Sequence, residues 1–270
     1  MSYEIIVTSV HDRRDLLART LRSLLLKLDA PPVRVLVHED IRADRPFVAG
    51  ETEALVLAIE REHGVPVQLL RTNPAGGLAR ALRKLLDEAR TEFILYTQED
   101  FDTVRSIPAS ACVDLMAKHE LHHVRFNKRK TMRIKGEHRD PREWWTKQTH
   151  YFDEHPLTLS DNWYFQTSVW RRSIALDGFR AVVERVRPGE HVQHAEIQFQ
   201  RWFHRAVGQN AGTVDGHQEA RRLYCRTWIW GKIGEPAFIA HTGSERRTQG
   251  WVDPAHDAKF GTVRGEKPNA

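Results

Sequence analysis

The chain has two cysteines, Cys112 and Cys225. They lie far apart and show no metal-ligand spacing, so neither a disulfide framework nor a cysteine metal site is expected. Two free thiols in a reducing, cytoplasmic setting are the expectation. Also absent is any apolar run of about 18 residues, the length that a bilayer-spanning helix needs. The first residues, MSYEIIVTSV, lack a basic region, a following apolar stretch and a small-residue cleavage site, so they read as a first strand and not as a signal peptide. There is no internal repeat and no low-complexity segment. No helix-turn-helix, zinc-finger or RNP-like pattern is visible. The loop after the first apolar run, SVHDRRD, contains no glycine. That argues against a nucleotidyltransferase, which would carry a Gly-rich basic loop there.

What is present suits a globular α/β enzyme. The 270 residues are 40% hydrophobic and 29% charged, enough for one large domain with a buried core. Lys and Arg number 41 against 36 Asp and Glu, a net charge of +5, so the position of the basic residues matters more than their sum. Fifteen His and eight Trp are many for this length, and Trp serves in sugar and base sites as well as in cores.

Residues 3–9 and 33–38 read as buried strands, 66–71 as a third and 92–97 as a fourth. Asp12 is placed to cap a helix carrying Leu17, Leu21, Leu24, Leu25 and Leu28 on one face; a second helix falls near 51–63, and a third carries Leu78, Leu82, Leu85 and Ala89. Strand and helix alternating in this way imply parallel βαβ units with right-handed crossovers. Ligands of such sheets gather beyond the carboxyl ends of the strands. Those ends carry Thr8, Ser9, His11 and Asp12, then Glu39 and Asp40, then Asn73, then Gln98 to Asp102. Beyond residue 103 the rhythm breaks. Helices are expected at 107–119 and 192–207 and strands at 121–127, 163–170 and 236–240, the last delivering His241; 128–150 reads as irregular and the tail from Arg246 as loosely packed.

In order along residues 3–102, IIVTSVHDR, VLVHED, TNPAGGLARAL and FILYTQEDFD resemble the nucleotide-binding half of the family-2-like GT-A glycosyltransferases. Less specific likenesses follow in VRFNKR, DNWYFQTSVWRRS, AEIQFQR and IAHTG. The resemblance implies a GT-A, Rossmann-like α/β fold with a mixed, mostly parallel sheet flanked by helices and an acceptor-side extension. Residues 1–103 would form the nucleotide-sugar half, 104–245 the acceptor-side half and 246–270 a tail. It implies sugar transfer from a nucleotide sugar to an acceptor hydroxyl, with inversion. One departure stands out: the family's metal-binding DXD motif reads Gln98-Glu99-Asp100, an amide replacing its first acid.

A hard divalent cation on oxygen ligands would neutralise the departing diphosphate. Asp100 matches the motif's last acid, Asp102 is an alternative ligand, and His241 corresponds to a late histidine that completes the shell in the resembling enzymes. A His ligand puts Mn²⁺ ahead of Mg²⁺. Glu39 and Asp40 can accept from ribose hydroxyls or a base N–H, and Thr8, His11, Asn73, Gln98 and Glu99 border the same crevice. Gly77, after Gly76, opens a helix whose N–H groups and Arg80 can meet phosphate. Glu196, where the family carries its general base, is the first candidate for that role and Glu190 the second.

The span 118–147 is rich in Lys and Arg and holds Trp144 and Trp145. Basic residues interleaved with aromatics suit a polyanionic acceptor, nucleic acid being the sharpest option; a solvated basic loop or contact with the diphosphate is the plainer one. A nucleotidyltransferase and a non-catalytic nucleic-acid-binding protein are the competing functions.

Overall fold

The computed structural model describes residues 1–73, 76–128, 149–160, 163–186, 194–208 and 226–242. Four strands, β1 (Tyr3–Val10), β2 (Val35–Asp40), β3 (Val67–Thr72) and β4 (Phe93–Gln98), alternate with helices α1 (Arg14–Leu26), α2 (Glu51–His63) and α3 (Leu78–Glu88). All four strands run parallel, in the order β3-β2-β1-β4. Successive side chains point to opposite faces of the sheet. Ile5 and Val7 therefore join Leu17, Leu21, Val56 and Ile59 of α1 and α2, while Ile6 and Ile94 join Leu82 and Leu85 of α3. With both faces covered, the central strands are continuous apolar runs and not alternating ones. The expected fold class is what is observed.

The second half completes a nine-stranded sheet, β3-β2-β1-β4-β9-β6-β10-β8-β7. Its members are β6 (His123–Arg125), β7 (Thr149–Phe152), β8 (His155–Ser160), β9 (Ser168–Arg171) and β10 (Thr227–Trp230), joined by helices α4 (Ala109–Lys118), α5 (Arg172–Val183) and α6 (Ala195–Gly208). Strand β9 lies antiparallel to β4 and makes the sheet mixed. Two short strands leave it: β5 (Phe101–Thr103) and β11 (Ile239–His241) pair antiparallel with each other. Trp163 and Trp170 are fully buried among Phe165, Phe179, Phe199 and Phe203. These two tryptophans are core, as are Trp228 and Trp230 on the other face.

Three sequence expectations change. Asp12 does not cap α1: a 3-10 turn, His11–Arg13, links β1 to α1, so Arg13 occupies the cap position and Asp12 lies one residue too early for its carboxylate to reach the first free N–H groups. The expected strand over 163–170 is extended only at 168–171, and residues 149–150, at the end of the span expected as irregular, begin β7. Helix α5, for which the sequence suggested no element, packs against both α3 and α6.

Gly178, inside α5, is where α6 comes closest. A Cβ there would sit 2.3 Å from Cε2 of Phe199 and 2.6 Å from Cζ3 of Trp202. Helix propensity alone would make Gly178→Ala stabilising by about 1 kcal/mol. The overlap is expected to win and destabilise the protein by about 1–3 kcal/mol in urea denaturation. A variant at least as stable as its parent would show that α6 does not lie this close.

Candidate active site

Strand β4 ends in the turn Glu99-Asp100, and the chain then folds back into β5. The backbone of this turn is pinned from three directions. The N–H of Glu99 donates to the Thr8 carbonyl at 3.2 Å, and the Thr20 hydroxyl of α1 donates to the Glu99 carbonyl at 2.6 Å. Thr242, just after β11, donates to the Asp100 carbonyl from its N–H at 2.9 Å and its hydroxyl at 3.2 Å. The β5–β11 register sets His241 opposite Phe101, with the rings 5.1 Å apart.

This brings His241 to the acidic turn. Its Nε2 lies 3.4 Å from Asp100 Oδ2. Arg13, from the turn after β1, places Nη1 2.7 Å from Glu99 Oε1 and 3.7 Å from Asp100 Oδ2. Both carboxylates are nearly sealed, and Asp100 Oδ1 is buried with no hydrogen-bond partner among the described residues. Burial, and then the Asp100 charge, push Glu99 up to about 7 against the pull of Arg13. Asp102 is not brought to this cluster. Alternation along β5 turns it away from Phe101 and His241, and it pairs with Arg19 of α1. Among the described residues no group of three or more His, Cys, Asp or Glu could hold a metal. Asp100 and His241 are two side chains whose chemistry, one hard oxygen and one imidazole nitrogen, would suit such an ion, and the unpaired Oδ1 is an orphan it would satisfy.

The other predicted contacts divide by the side of the sheet they face. Glu39 points toward α2, fully buried, and takes hydrogen bonds from Thr52 and, at 2.7 Å, from Arg71 Nε. Asp40 points the other way and accepts from the N–H of Gly76 at 3.2 Å and of Gly77 at 2.9 Å. The N–H groups of Gly76 and Gly77, just ahead of α3, are therefore taken by an internal carboxylate. His11 is buried under the loop after β2, its Nε2 3.0 Å from the Pro46 carbonyl and its Nδ1 accepting from the Arg42 N–H at 3.2 Å. Thr8 Oγ1 lies 3.4 Å from the Tyr96 hydroxyl. Asn73 is exposed beyond β3, and Arg80 lies in the first turn of α3.

Beside the acidic turn lies a cavity of about 450 Å³, lined by Gln98, Phe101, Lys128, Tyr164, Phe165, Gln166, Glu196, Ile197, Gln200 and His241. One wall is a segment held by side chains from two elements. Gln98 donates from Nε2 to the Tyr96 hydroxyl at 2.9 Å and the Phe165 carbonyl at 3.3 Å. Glu196 accepts from the Phe165 N–H at 3.0 Å, and Gln200 donates to the Trp163 carbonyl at 3.1 Å. This gives a reason for the amide at the DXD position, since an ionised acid at residue 98 could not donate to a carbonyl. Glu196 thus lines the cavity near the start of α6, whereas Glu190 lies outside the described residues, as do residues 129–147 of the basic span.

Three residues of this region carry no expectation from the sequence: Arg13, Gln166 and Gln200. Arg13 was legible as the cation of a glycine-free first loop, facing acids on a parallel neighbour strand. The two glutamines have no pattern that distinguishes them from surface amides.

No family model matches the chain, and no curated protein matches it by sequence. Solved structures do match in fold. S. aureus TarS 1–349 in complex with UDP is 16% identical, covers 92% of this chain and 62% of its own, and superposes with a TM-score of 0.54. The same fragment with UDP-GlcNAc gives 14%, 96%, 64% and 0.51. The longer TarS structure gives a TM-score of 0.53 at 15% identity, with 92% of this chain and 38% of that one covered. The chain spans less than two thirds of the length of these structures. The fold is the GT-A glycosyltransferase fold.

Gln98→Glu restores an acid at the first DXD position but removes the donor to Phe165. The variant is expected to lose about 1–3 kcal/mol of stability at neutral pH, read as a lower melting temperature. An unchanged melting temperature would mean that the amide does not hold the cavity wall.

Proposed function

We propose that the protein is a metal-dependent glycosyltransferase that moves a sugar from a nucleotide-sugar donor to an acceptor hydroxyl with inversion. The observation that carries this reading is the approach of Asp100 and His241 to 3.4 Å, with His241 lining a cavity that Glu196 also lines. The TarS structures with UDP and UDP-GlcNAc, which share the fold, support a nucleotide-sugar donor.

In this reading Asp100 and His241 would hold a divalent cation, Mn²⁺ in preference to Mg²⁺ because one of the two side chains is an imidazole. Once bound, the ion supplies positive charge to the leaving diphosphate. Arg13, 2.7 Å from Glu99 and 3.7 Å from Asp100, offsets part of the negative charge of the turn. Thr8, Asp40 and Asn73 border the nucleotide, whereas Glu39, buried against α2, does not reach it. Glu196 is oriented by the Phe165 N–H on one oxygen, which leaves the other to take the acceptor proton. The acceptor oxygen then bonds to the anomeric carbon as that carbon's bond to the diphosphate breaks.

Melting curves with UDP, GDP, ADP and CDP, each with and without Mn²⁺, test the donor side. At least one diphosphate is expected to raise the melting temperature, and more so with Mn²⁺. Asp100→Ala should abolish the Mn²⁺-dependent increment. Glu196→Gln should keep that increment while lowering turnover about 100-fold or more, followed as nucleoside diphosphate released from the matching nucleotide sugar. Failure of every diphosphate to shift the wild-type protein would sink the transferase reading.

A further inference from the structure

Several cations around the carboxyl ends of the strands are committed to carboxylates. Arg13 pairs with Glu99, Arg19 with Asp102, Arg42 with Asp44, and Arg71 with Glu39 and Glu53. Lys128 is not. Among the described residues it makes no hydrogen bond and no ion pair, and its ammonium lies over the Phe101 ring, 5.9 Å from the centre. Its place is set by the elements that also place His241. The Phe126 N–H donates to the Thr167 carbonyl at 2.9 Å, and the Asn127 carbonyl accepts from the N–H of Phe238 at 2.9 Å and of Ile239 at 3.4 Å. Residues 126 and 127 are thus held between the segment before β9 and the start of β11, and Lys128 comes next. Strand β11 goes on to deliver His241, whose ring centre is 5.1 Å from that of Phe101. Lys128 and His241 therefore flank the same ring, and all three residues line the cavity. Glu196 lines it too, yet no ion pair joins it to Lys128; it accepts from the Phe165 N–H. A half-buried ammonium without a counter-charge is kept at a cost in solvation, which an anion in the cavity would offset.

The acidic turn gives a reason for such a cation. Gln98 is neutral, Glu99 is paired with Arg13 and Asp102 with Arg19, which leaves Asp100 and the His241 imidazole for a divalent ion. Fewer carboxylates hold such an ion less tightly, so a departing diphosphate gains from positive charge that the chain itself supplies. We infer that Lys128 is a catalytic residue that binds the sugar-bearing phosphate of the donor and meets its charge as the diphosphate leaves. The inference rests on the transferase reading and adds a protein-borne cation to it. As the bond from the anomeric carbon to the phosphate oxygen breaks, its electron pair passes to that oxygen. The Lys128 ammonium donates a hydrogen bond to the phosphate that gains this charge. It keeps its own proton, and the proton of the acceptor hydroxyl goes to Glu196. Lysine suits the task as a compact charge with three donors on a flexible stem. Within the basic span 118–147, Lys128 thus takes the plainer role, contact with the diphosphate.

The test is isothermal titration calorimetry on the full chain. The probes are whichever of UDP, GDP, ADP and CDP shifts melting most, and its monophosphate, each in Mn²⁺ and in EDTA. The parent protein is expected to bind the diphosphate more tightly than the monophosphate even in EDTA. Lys128→Met should weaken the diphosphate about tenfold or more in both conditions, the size of one charge-assisted hydrogen bond, and the monophosphate by less than about twofold. Lys128→Arg, which keeps the charge, should recover most of the loss. Intact monophosphate binding establishes that the variants fold. With the matching nucleotide sugar, Lys128→Met should also lower kcat about tenfold or more. Diphosphate affinity equal to the parent's in Lys128→Met would overturn the inference alone and leave Lys128 a solvated charge on the Phe101 surface. So would equal losses for both nucleotides, a loss confined to Mn²⁺, an unchanged kcat, or a parent that in EDTA binds the diphosphate no more tightly than the monophosphate. A parent that binds no nucleoside diphosphate in either condition would bring down the transferase reading and this inference with it.

Discussion

Everything at the candidate site depends on how the Glu99-Asp100 turn is held. The turn closes a buried parallel strand, so its polar groups must be satisfied by neighbours and not by water. Thr8 of β1 and Thr20 of α1 take the Glu99 backbone, and Thr242 takes the Asp100 carbonyl twice. Thr242 can do so because β11 pairs with β5, and the same pairing delivers His241 to Asp100. One short two-stranded sheet thus links a residue late in the chain to the end of the fourth strand. Without it the imidazole would have no fixed position, and Asp100 would be an isolated acid beside Arg13.

The cavity wall follows a related logic. Residues 163–167 lie between β4 and α6 and precede β9, outside any strand, so side chains hold their backbone. Gln98, Glu196 and Gln200 do this, and each keeps an oxygen in reserve on a residue that lines the cavity. The amide that interrupts the acidic motif is thereby tied to packing: Phe165 needs a donor, and an acid would leave its carbonyl unpaired. Gly178 completes the arrangement by letting α6 settle against α5, which sets the height at which Glu196 and Gln200 meet the wall.

Much of the first half was legible because strong local periods agree with the tertiary fold: β1 to β4 and α1 to α3 follow from apolar runs and Leu spacing. Helix α5 was equally readable, since Ala175, Leu176, Phe179, Val182 and Val183 keep helical spacing. It was obscured by Gly178 and by starting directly from a strand with no turn residue between them. Strands β5 and β7 had weak signals, being three or four residues long and defined by distant partners, while the strand expected at 236–240 forms as β11 at Ile239–His241. At the site, strand alternation alone separates Glu39 from Asp40 and Asp102 from Phe101, because adjacent strand residues face opposite sides. That Asp40 fills the start of α3, and that His11 braces a loop, depends on how loops return. Nothing local in the sequence encodes that.

The central claim is that Asp100 and His241 share one divalent cation. Electron spin-echo envelope modulation of Mn²⁺ bound to the full chain reads the ligand set directly. The account predicts a ¹⁴N modulation from an imidazole that disappears in His241→Ala, and Mn²⁺ binding at least about tenfold weaker in Asp100→Asn. Mn²⁺ that binds without nitrogen coupling, or equally well when Asp100 is neutral, would contradict it.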